Sequence, residues 1–277
     1  MAYKTKSHVR VTSAAHDSDS WLTRRGALRV PQITIAFWVI KGLSTAMGES
    51  TSSFLVHAMA PPLAVMLGFA GFVCALILQF RTGRYVAWTY WFAVVMVGIF
   101  GTMAADVLHV GLGVPYTAST ILYAIVLCVV FVAWQRTEKT LSIHSVDSPR
   151  REAFYWATVA ATFAMGTALG DFTAYTLHLG FFPSALVFAA IITVPAFGFR
   201  FLRWNAILSF WFAYVITRPL GASIADGLAK SRRSSGLGIG DGPVVLVLGT
   251  LIFAMVAYLA ITKADIQRAP TLEAKRD

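Results

Sequence analysis

The sequence predicts an all-α polytopic membrane protein in which eight transmembrane helices form four parallel two-helix repeats. Of its 277 residues, 57% are hydrophobic and only 13% are charged, whereas soluble domains usually contain about 25% charged residues. Apolar runs long enough to cross a bilayer follow one another along the chain. A pattern of tryptophan, glycine and a polar residue also recurs at one fixed spacing, which indicates internal repetition.

Eight segments are long and apolar enough to span the hydrocarbon core, which requires about 20 residues of helix. We predict spans at 33–53, 61–80, 85–108, 115–135, 153–175, 183–201, 206–226 and 243–262. The loops between them are too short for a soluble domain. The chain is therefore expected to contain one membrane domain, 31–263, between tails at 1–30 and 264–277, with repeats near 31–84, 85–150, 151–203 and 204–263.

The positive charge lies mainly at one end of the predicted spans. Basic residues precede the first span and follow the second, fourth, sixth and eighth, whereas the opposite loops contain only Lys230, Arg232 and Arg233. The positive-inside rule therefore predicts a bacterial inner-membrane protein with both termini in the cytoplasm. Charges that flank spans without interleaved aromatic residues argue against nucleic acid as a partner. The predicted partner is the lipid bilayer, and a homo-oligomer is left open.

The repeat is clearest in the odd-numbered spans. An aromatic residue precedes a tryptophan at four places, a glycine follows each tryptophan by ten residues, and Ser or Asp follows it by fifteen. The positions are Trp38, Trp91, Trp156 and Trp211; Gly48, Gly101, Gly166 and Gly221; and Ser53, Asp106, Asp171 and Asp226. The even-numbered spans open at a proline, whose missing N–H costs nothing at the start of a helix. Since all four repeats have the same direction, their symmetry axis is predicted to lie along the membrane normal.

Over roughly residues 30–262 the chain resembles a bacterial integral-membrane family with four tandem two-helix repeats, each marked by a tryptophan. The resemblance is carried by the stretches FWVIKGLSTAMGES, YWFAVVMVGIFGTMAAD, REAFYWATVAATFAMGTALGD and FWFAYVITRPLGASIAD. It implies the fold and the membrane location, but the family is defined by a repeat of unknown function and implies no activity. Ser53 departs from the acid that the family leads us to expect in the first repeat, which would then depend on Glu49.

The tryptophans and glycines of the repeat predict structure rather than chemistry. Fifteen residues of helix separate each tryptophan from the last repeat position, a distance of roughly 22 Å. The four tryptophans are therefore expected near the cytoplasmic end, as interfacial anchors or as residues that pack helices together. The four glycines are expected to let neighbouring helices approach closely.

The ionisable residues of the odd-numbered spans form the candidate transport site. Charged groups inside a bilayer usually face a cavity or a partner and often mark a pathway. Four acids against two bases leave a balance of −2, which suits a divalent cation held by carboxylates and threonine hydroxyls, and such ligands favour Mg²⁺, Ca²⁺ or Mn²⁺. The acids, which are also the candidate metal ligands, are Glu49, Asp106, Asp171 and Asp226; the bases are Lys41 and Arg218; the hydroxyls are those of Thr45, Thr102 and Thr167. We therefore predict a secondary carrier or exporter of a small cation, with no cofactor and no catalytic residue.

Two alternatives stay open at this point. In the first, Lys41 and Arg218 bind an anionic or zwitterionic solute, and Pro219 kinks the helix beside them, as in the broken helices that line transporter sites. In the second, the protein does not transport, and the aspartates only end helices at the outer interface of a structural or partner-binding membrane protein. An exposed set of acids without a connected cavity would favour the second alternative.

Overall fold

A computed structural model describes residues 27–267. Of the predicted tails, 1–30 and 264–277, residues 1–26 and 268–277 lie outside this range. The described chain has eight long helices and no strand. Short 3-10 turns at Ile143–Ser145 and Arg232–Ser234 lie in loops, and π-helical turns at Val107–Gly111 and Phe172–Thr176 directly continue two of the helices. The helices are α1 Ile35–Ala58, α2 Pro61–Thr82, α3 Ala87–Asp106, α4 Tyr116–Glu138, α5 Pro149–Asp171, α6 Phe181–Phe201, α7 Ala206–Ala229 and α8 Asp241–Thr262.

The odd-numbered helices form an inner ring and the even-numbered helices surround it. Within the ring α1 contacts α3, α3 contacts α5, α5 contacts α7, and α7 contacts α1. Each outer helix packs mainly on the inner helix of the next repeat: α2 on α3, α4 on α5, α6 on α7, and α8 on α1. This cyclic pattern confirms the all-helical repeat architecture that the sequence predicts, with one two-helix unit for each repeat.

Six of the eight helices are long and apolar enough to cross a membrane, and α1 and α5 are the two that are not. Both are inner helices, and most of the polar residues in their membrane part are buried inside the bundle. The outer helices instead present large apolar side chains at the surface, among them Met66, Ile125 and Leu246. A helix that is covered by protein does not need an apolar face toward lipid. The molecule is therefore a polytopic α-helical membrane protein with a polar inner ring.

The four repeat glycines lie where inner helices touch. A Cβ atom on Gly48 would lie 2.8 Å from the carbonyl carbon of Gly98, and one on Gly221 would lie 2.8 Å from the Cβ of Thr45. Gly101 and Gly166 face the side chains of Phe163 and Arg218 in the same manner. In every case the residue that is met lies seven positions after the tryptophan of the next repeat, so the close approach is itself repeated around the ring.

The aromatic residues of the repeat form a second cyclic set at the other end of the ring. The residue before each tryptophan packs on the tryptophan of the next repeat, with ring centroids 5.7 Å apart for Phe37 and Trp91 and 5.5 Å apart for Tyr90 and Trp156. The remaining two contacts are Tyr155 with Trp211 and Phe210 with Trp38. Trp91, Trp156 and Trp211 are buried and Trp38 is half-buried. These side chains therefore pack the helices together; of the two predicted roles, burial favours packing over interfacial anchoring.

The end of the bundle that contains the basic loops is also tied together by polar contacts; we call it the basic end. The Arg29 guanidinium donates to Glu152 over 2.5 Å, Gln79 donates to the same carboxylate over 2.9 Å, and the hydroxyl of Tyr85 donates to Asp265. The packed unit thus reaches beyond the predicted limits of 31–263, because residues just outside them make these contacts.

Candidate functional site

Arg218 is the point at which all four repeats meet. Its side chain is fully buried, and its guanidinium donates to the carbonyl oxygen of Thr45 over 2.8 Å and to Oε2 of Glu49 over 2.8 Å. It also donates to the hydroxyl of Thr167 over 2.7 Å and to that of Thr102. A fully enclosed guanidinium requires such charge-assisted acceptors, and here α1, α3 and α5 supply them to α7.

These contacts change the role that the sequence suggested for the threonines. The hydroxyls of Thr102 and Thr167 and the carboxylate of Glu49 do hold a cation, but that cation is the guanidinium of Arg218. The Thr45 hydroxyl donates within its own helix, to the carbonyl oxygen of Gly42 over 2.6 Å. The role of the three hydroxyls as ligands of a transported ion stays a prediction, and in this structure a buried arginine donates to two of them.

The contacts of Arg218 and Lys41 do not favour the solute-binding role that the sequence suggested for them. The donors of Arg218 are directed at protein acceptors, and α7 continues through Pro219 as an uninterrupted helix. Lys41 is fully buried, and its Nζ lies 4.2 Å from the ring centroids of Phe163 and of Tyr214. No hydrogen-bond partner of this amine is found within residues 27–267. Lys41 is therefore held by aromatic rings and is not a partner of the four acids.

The four predicted acids line one cavity of about 360 Å³ at the end of the bundle opposite the basic end. We call it the carboxylate cavity. Tyr175 and Val110 on its wall are exposed, so the cavity communicates with the surface at this end. Its polar and titratable lining residues are Glu49, Ser53, His57, Asp106, Tyr116, Asp171, Tyr175, Asp226 and Lys230. The last position of every repeat is thus present in this one cavity, although the repeats lie far apart in the chain.

Two of the carboxylates have a basic partner. Glu49 is paired with Arg218, and Oδ1 of Asp226 lies 3.7 Å from Nζ of Lys230. Lys230 also donates to the hydroxyl of Ser53 over 3.0 Å. Ser53 occupies the repeat position at which the other repeats have an aspartate, so the lysine bridges the first and the fourth repeats. Four acids and two bases still give the predicted charge balance of −2. The second base, however, is Lys230 and not Lys41.

The other two carboxylates differ in partner and in backbone. Asp106 and Asp171 are half-buried on the cavity wall, and neither forms a salt bridge within residues 27–267. Each is the last residue of its α-helix and is followed at once by a π-helical turn. Such wider turns are rare and are often found at functional sites. In the second and third repeats, therefore, a π-helical turn directly follows the carboxylate that has no basic partner among the described residues.

The predicted metal site is not assembled in this arrangement. Over the described range no three His, Cys, Asp or Glu side chains lie close enough together to hold one metal ion. The physical reason is that Glu49 is directed to Arg218 and Asp226 to Lys230, while Asp106 and Asp171 lie on separate helices. Glu49, Asp106, Asp171 and Asp226 share a cavity, but they do not form a four-carboxylate metal centre.

The sequence analysis did not assign several cavity residues to the site, among them Lys230, Tyr116 and Tyr175. Lys230 had a visible signal, since it is one of three basic residues in the opposite loops and follows Asp226 by four positions. Tyr116 and Tyr175 had none, because an aromatic residue near a helix end is common in membrane proteins. Their ring centroids lie 5.7 Å apart, with planes nearly parallel.

The ring of four repeats and its buried polar centre define a multi-pass α-helical membrane protein built by tandem repetition. Comparison with family models places the chain within one such group. A model described as a repeat of unknown function, DUF347, matches residues 89–140, 154–203 and 209–265, which together are more than half of the chain. The protein therefore belongs to the DUF347 repeat family, and the matches cover the second, third and fourth repeats. No curated protein and no solved structure matches the chain.

Proposed function

We propose that this protein transports a small cation across a bacterial inner membrane, and that the cation binds in the carboxylate cavity. One observation carries the proposal: the last repeat positions converge on a single cavity in which Asp106 and Asp171 have no basic partner among the described residues. Ionisable groups inside a membrane domain commonly mark a substrate pathway. With the termini in the cytoplasm, the cavity would open to the opposite side.

The two alternative functions from the sequence analysis have less support than cation transport. An anionic or zwitterionic solute would require a free guanidinium, whereas Arg218 donates to four acceptors of the protein itself. A structural or partner-binding role would be favoured by acids exposed at the outer surface without a connected cavity. The shared cavity and the two π-helical turns beside Asp106 and Asp171 support transport instead.

The proposal is tested by flux into proteoliposomes that contain the purified protein, with labelled Na⁺, Mn²⁺ and choline as probes. Saturable uptake of at least one probe is expected. The Asp106→Asn/Asp171→Asn variant should reduce that uptake by about tenfold or more, because loss of a charged partner typically costs 2–5 kcal/mol. Its unfolding temperature should stay close to that of the unmodified protein.

Asp147→Asn is the matched control, since this carboxylate lies in a loop at the basic end and pairs with Arg151. It receives the same chemical change and should retain full uptake. The proposal fails if no probe enters above protein-free vesicles, or if the double variant transports as well as the control.

A further inference from the structure

The wall of the carboxylate cavity is not that of a site for a bare ion. Between its carboxylates lie the apolar side chains of Val56, Val65, Met103, Val107 and Val110. A hard metal ion instead needs oxygen ligands on all sides at about 2.0–2.6 Å. The volume of about 360 Å³ falls within the range of sites for small organic molecules, roughly 300–1,000 Å³.

Aromatic rings form the second part of this wall. Tyr116, the first residue of α4, and Tyr175, from the π-helical turn that follows Asp171, both line the cavity, and their planes differ by only 12°. His109, from the π-helical turn after Asp106, stacks on Tyr116 with ring centroids 3.5 Å apart. The two π-helical turns therefore bring an aromatic stack to the same part of the wall as the two free carboxylates.

An unsatisfied acceptor in the cavity is independent of the tyrosines. Asp226 is 95% buried, being 5% exposed, and its Oδ1 has no hydrogen-bond donor within residues 27–267. The basic group that pairs with it within residues 27–267, on Lys230, is 3.7 Å away, which is beyond hydrogen-bond distance. A buried carboxylate oxygen without a donor is costly, so additional positive charge in the cavity is favoured.

We propose that the ligand of the carboxylate cavity is a small organic ammonium ion, held by the free carboxylates and by the ring of Tyr175 at the end of the aromatic stack. Aromatic faces attract alkylammonium groups through their quadrupole, and the alkyl substituents match the apolar part of the wall. This inference rests on the proposed transport function and specifies its substrate class. A bare metal ion would use neither the tyrosines nor the valines.

The test is calorimetric binding to the purified protein, followed by uptake into proteoliposomes. Choline is the probe, and 3,3-dimethylbutan-1-ol, which has the same shape without the charge, is the control ligand. Choline should bind and enter saturably, and the neutral alcohol should do neither. Tyr175→Leu should weaken choline binding by about three- to tenfold, whereas Tyr175→Phe, which keeps the ring, should change it by less than about twofold.

The outcomes separate this inference from the function on which it rests. Uptake of Na⁺ or Mn²⁺ without choline would overturn the ammonium assignment and leave cation transport standing. No uptake of any of the three probes would overturn both. If choline binds equally well in Tyr175→Leu and Tyr175→Phe proteins of equal unfolding temperature, the aromatic part of the site is wrong.

Discussion

The first and fourth repeats, compared with the second and third, show how one repeated position can acquire two roles. All four repeats bring their last position to the carboxylate cavity. In the first and fourth, the acids Glu49, which lies four residues before the last position, and Asp226 face Arg218 and Lys230, and α1 and α7 stay α-helical to their ends. In the second and third, Asp106 and Asp171 lack such partners among residues 27–267, and π-helical turns follow.

We therefore expect the paired acids of the first and fourth repeats to stabilise the fold, and the acids of the second and third repeats to bind the ligand. The bases that neutralise the first and fourth repeats both come from the fourth repeat, one from α7 and one from the residue that follows it. They connect the last repeat to the first and so close the ring. The second and third repeats need no such closure, because they are joined to both neighbours through the chain, and their carboxylates stay available to a ligand. Three sets of substitutions would break or sharpen this comparison.

Arg218→Met should have the largest effect. It leaves Glu49 buried without its partner, and breaking a buried ion pair costs about 3–5 kcal/mol. The unfolding temperature in detergent should fall strongly, whereas Asp106→Asn should leave it almost unchanged. The double variant Glu49→Met/Arg218→Met should recover much of the loss, since removing both charges can be nearly neutral. Equal losses for Arg218→Met and Asp106→Asn would contradict the division of roles between the two pairs of repeats.

Alanine at the repeat glycines should have an intermediate effect that is similar in both pairs of repeats. Gly221→Ala would press on Thr45 and Gly101→Ala on Phe163, and overpacking of this kind typically costs 1–3 kcal/mol, a rough figure for each. Gly42→Ala is the control, because it lies on α1 with no neighbour within 4 Å of the added Cβ. Thermal unfolding in detergent measures all three. If only one of the two repeat glycines tolerates alanine, helix approach is not shared around the ring.

Ser53→Asp should have the smallest effect. It restores the acid that the other repeats carry at this position and gives Lys230, which pairs with Asp226 and donates to Ser53, a second carboxylate partner. Because Lys230 is partly exposed, the gain in the free energy of unfolding should be only about 0.2–1 kcal/mol. Ser53→Asn, of equal size without charge, serves as the control. A fall in unfolding temperature with Asp but not with Asn would show that negative charge in the cavity is already in excess.

The fixed spacing of residues within the repeat predicted more of the structure than the hydropathy of the sequence did. The spacing of Trp38, Gly48 and their equivalents predicted the repeat, and the structure places each glycine against the next inner helix. The helix boundaries were less accurate: α5 begins at Pro149 rather than near residue 153, because Ser148 caps it by accepting from the backbone N–H of Arg151. The common location of the three aspartates was implied by symmetry, since equivalent positions of parallel repeats lie at one depth, whereas Glu49 stands four residues earlier in its repeat and reaches the same cavity.

The partners of those acids could not be read in the same manner. Arg218 and Lys41 stood together as the bases of the odd-numbered spans, yet their positions differ by four residues of the repeat, about 6 Å along a helix. That offset directs Arg218 to Glu49 and leaves Lys41 among aromatic rings. Likewise, nothing in the sequence indicated that the stretches after Asp106 and Asp171 widen into π-helical turns.

The sequence by itself determined the class of protein, the number of repeats and the position of each polar residue within its repeat, because hydropathy and spacing depend only on order along the chain. The tertiary structure decided which charges neutralise one another and which remain available. That choice depends on a few ångströms between helices whose residues are more than a hundred positions apart, as with Glu49 and Arg218. At such distances Coulomb energies and hydrogen bonds change steeply, so the division into a closed ring and an open cavity exists only in the folded molecule.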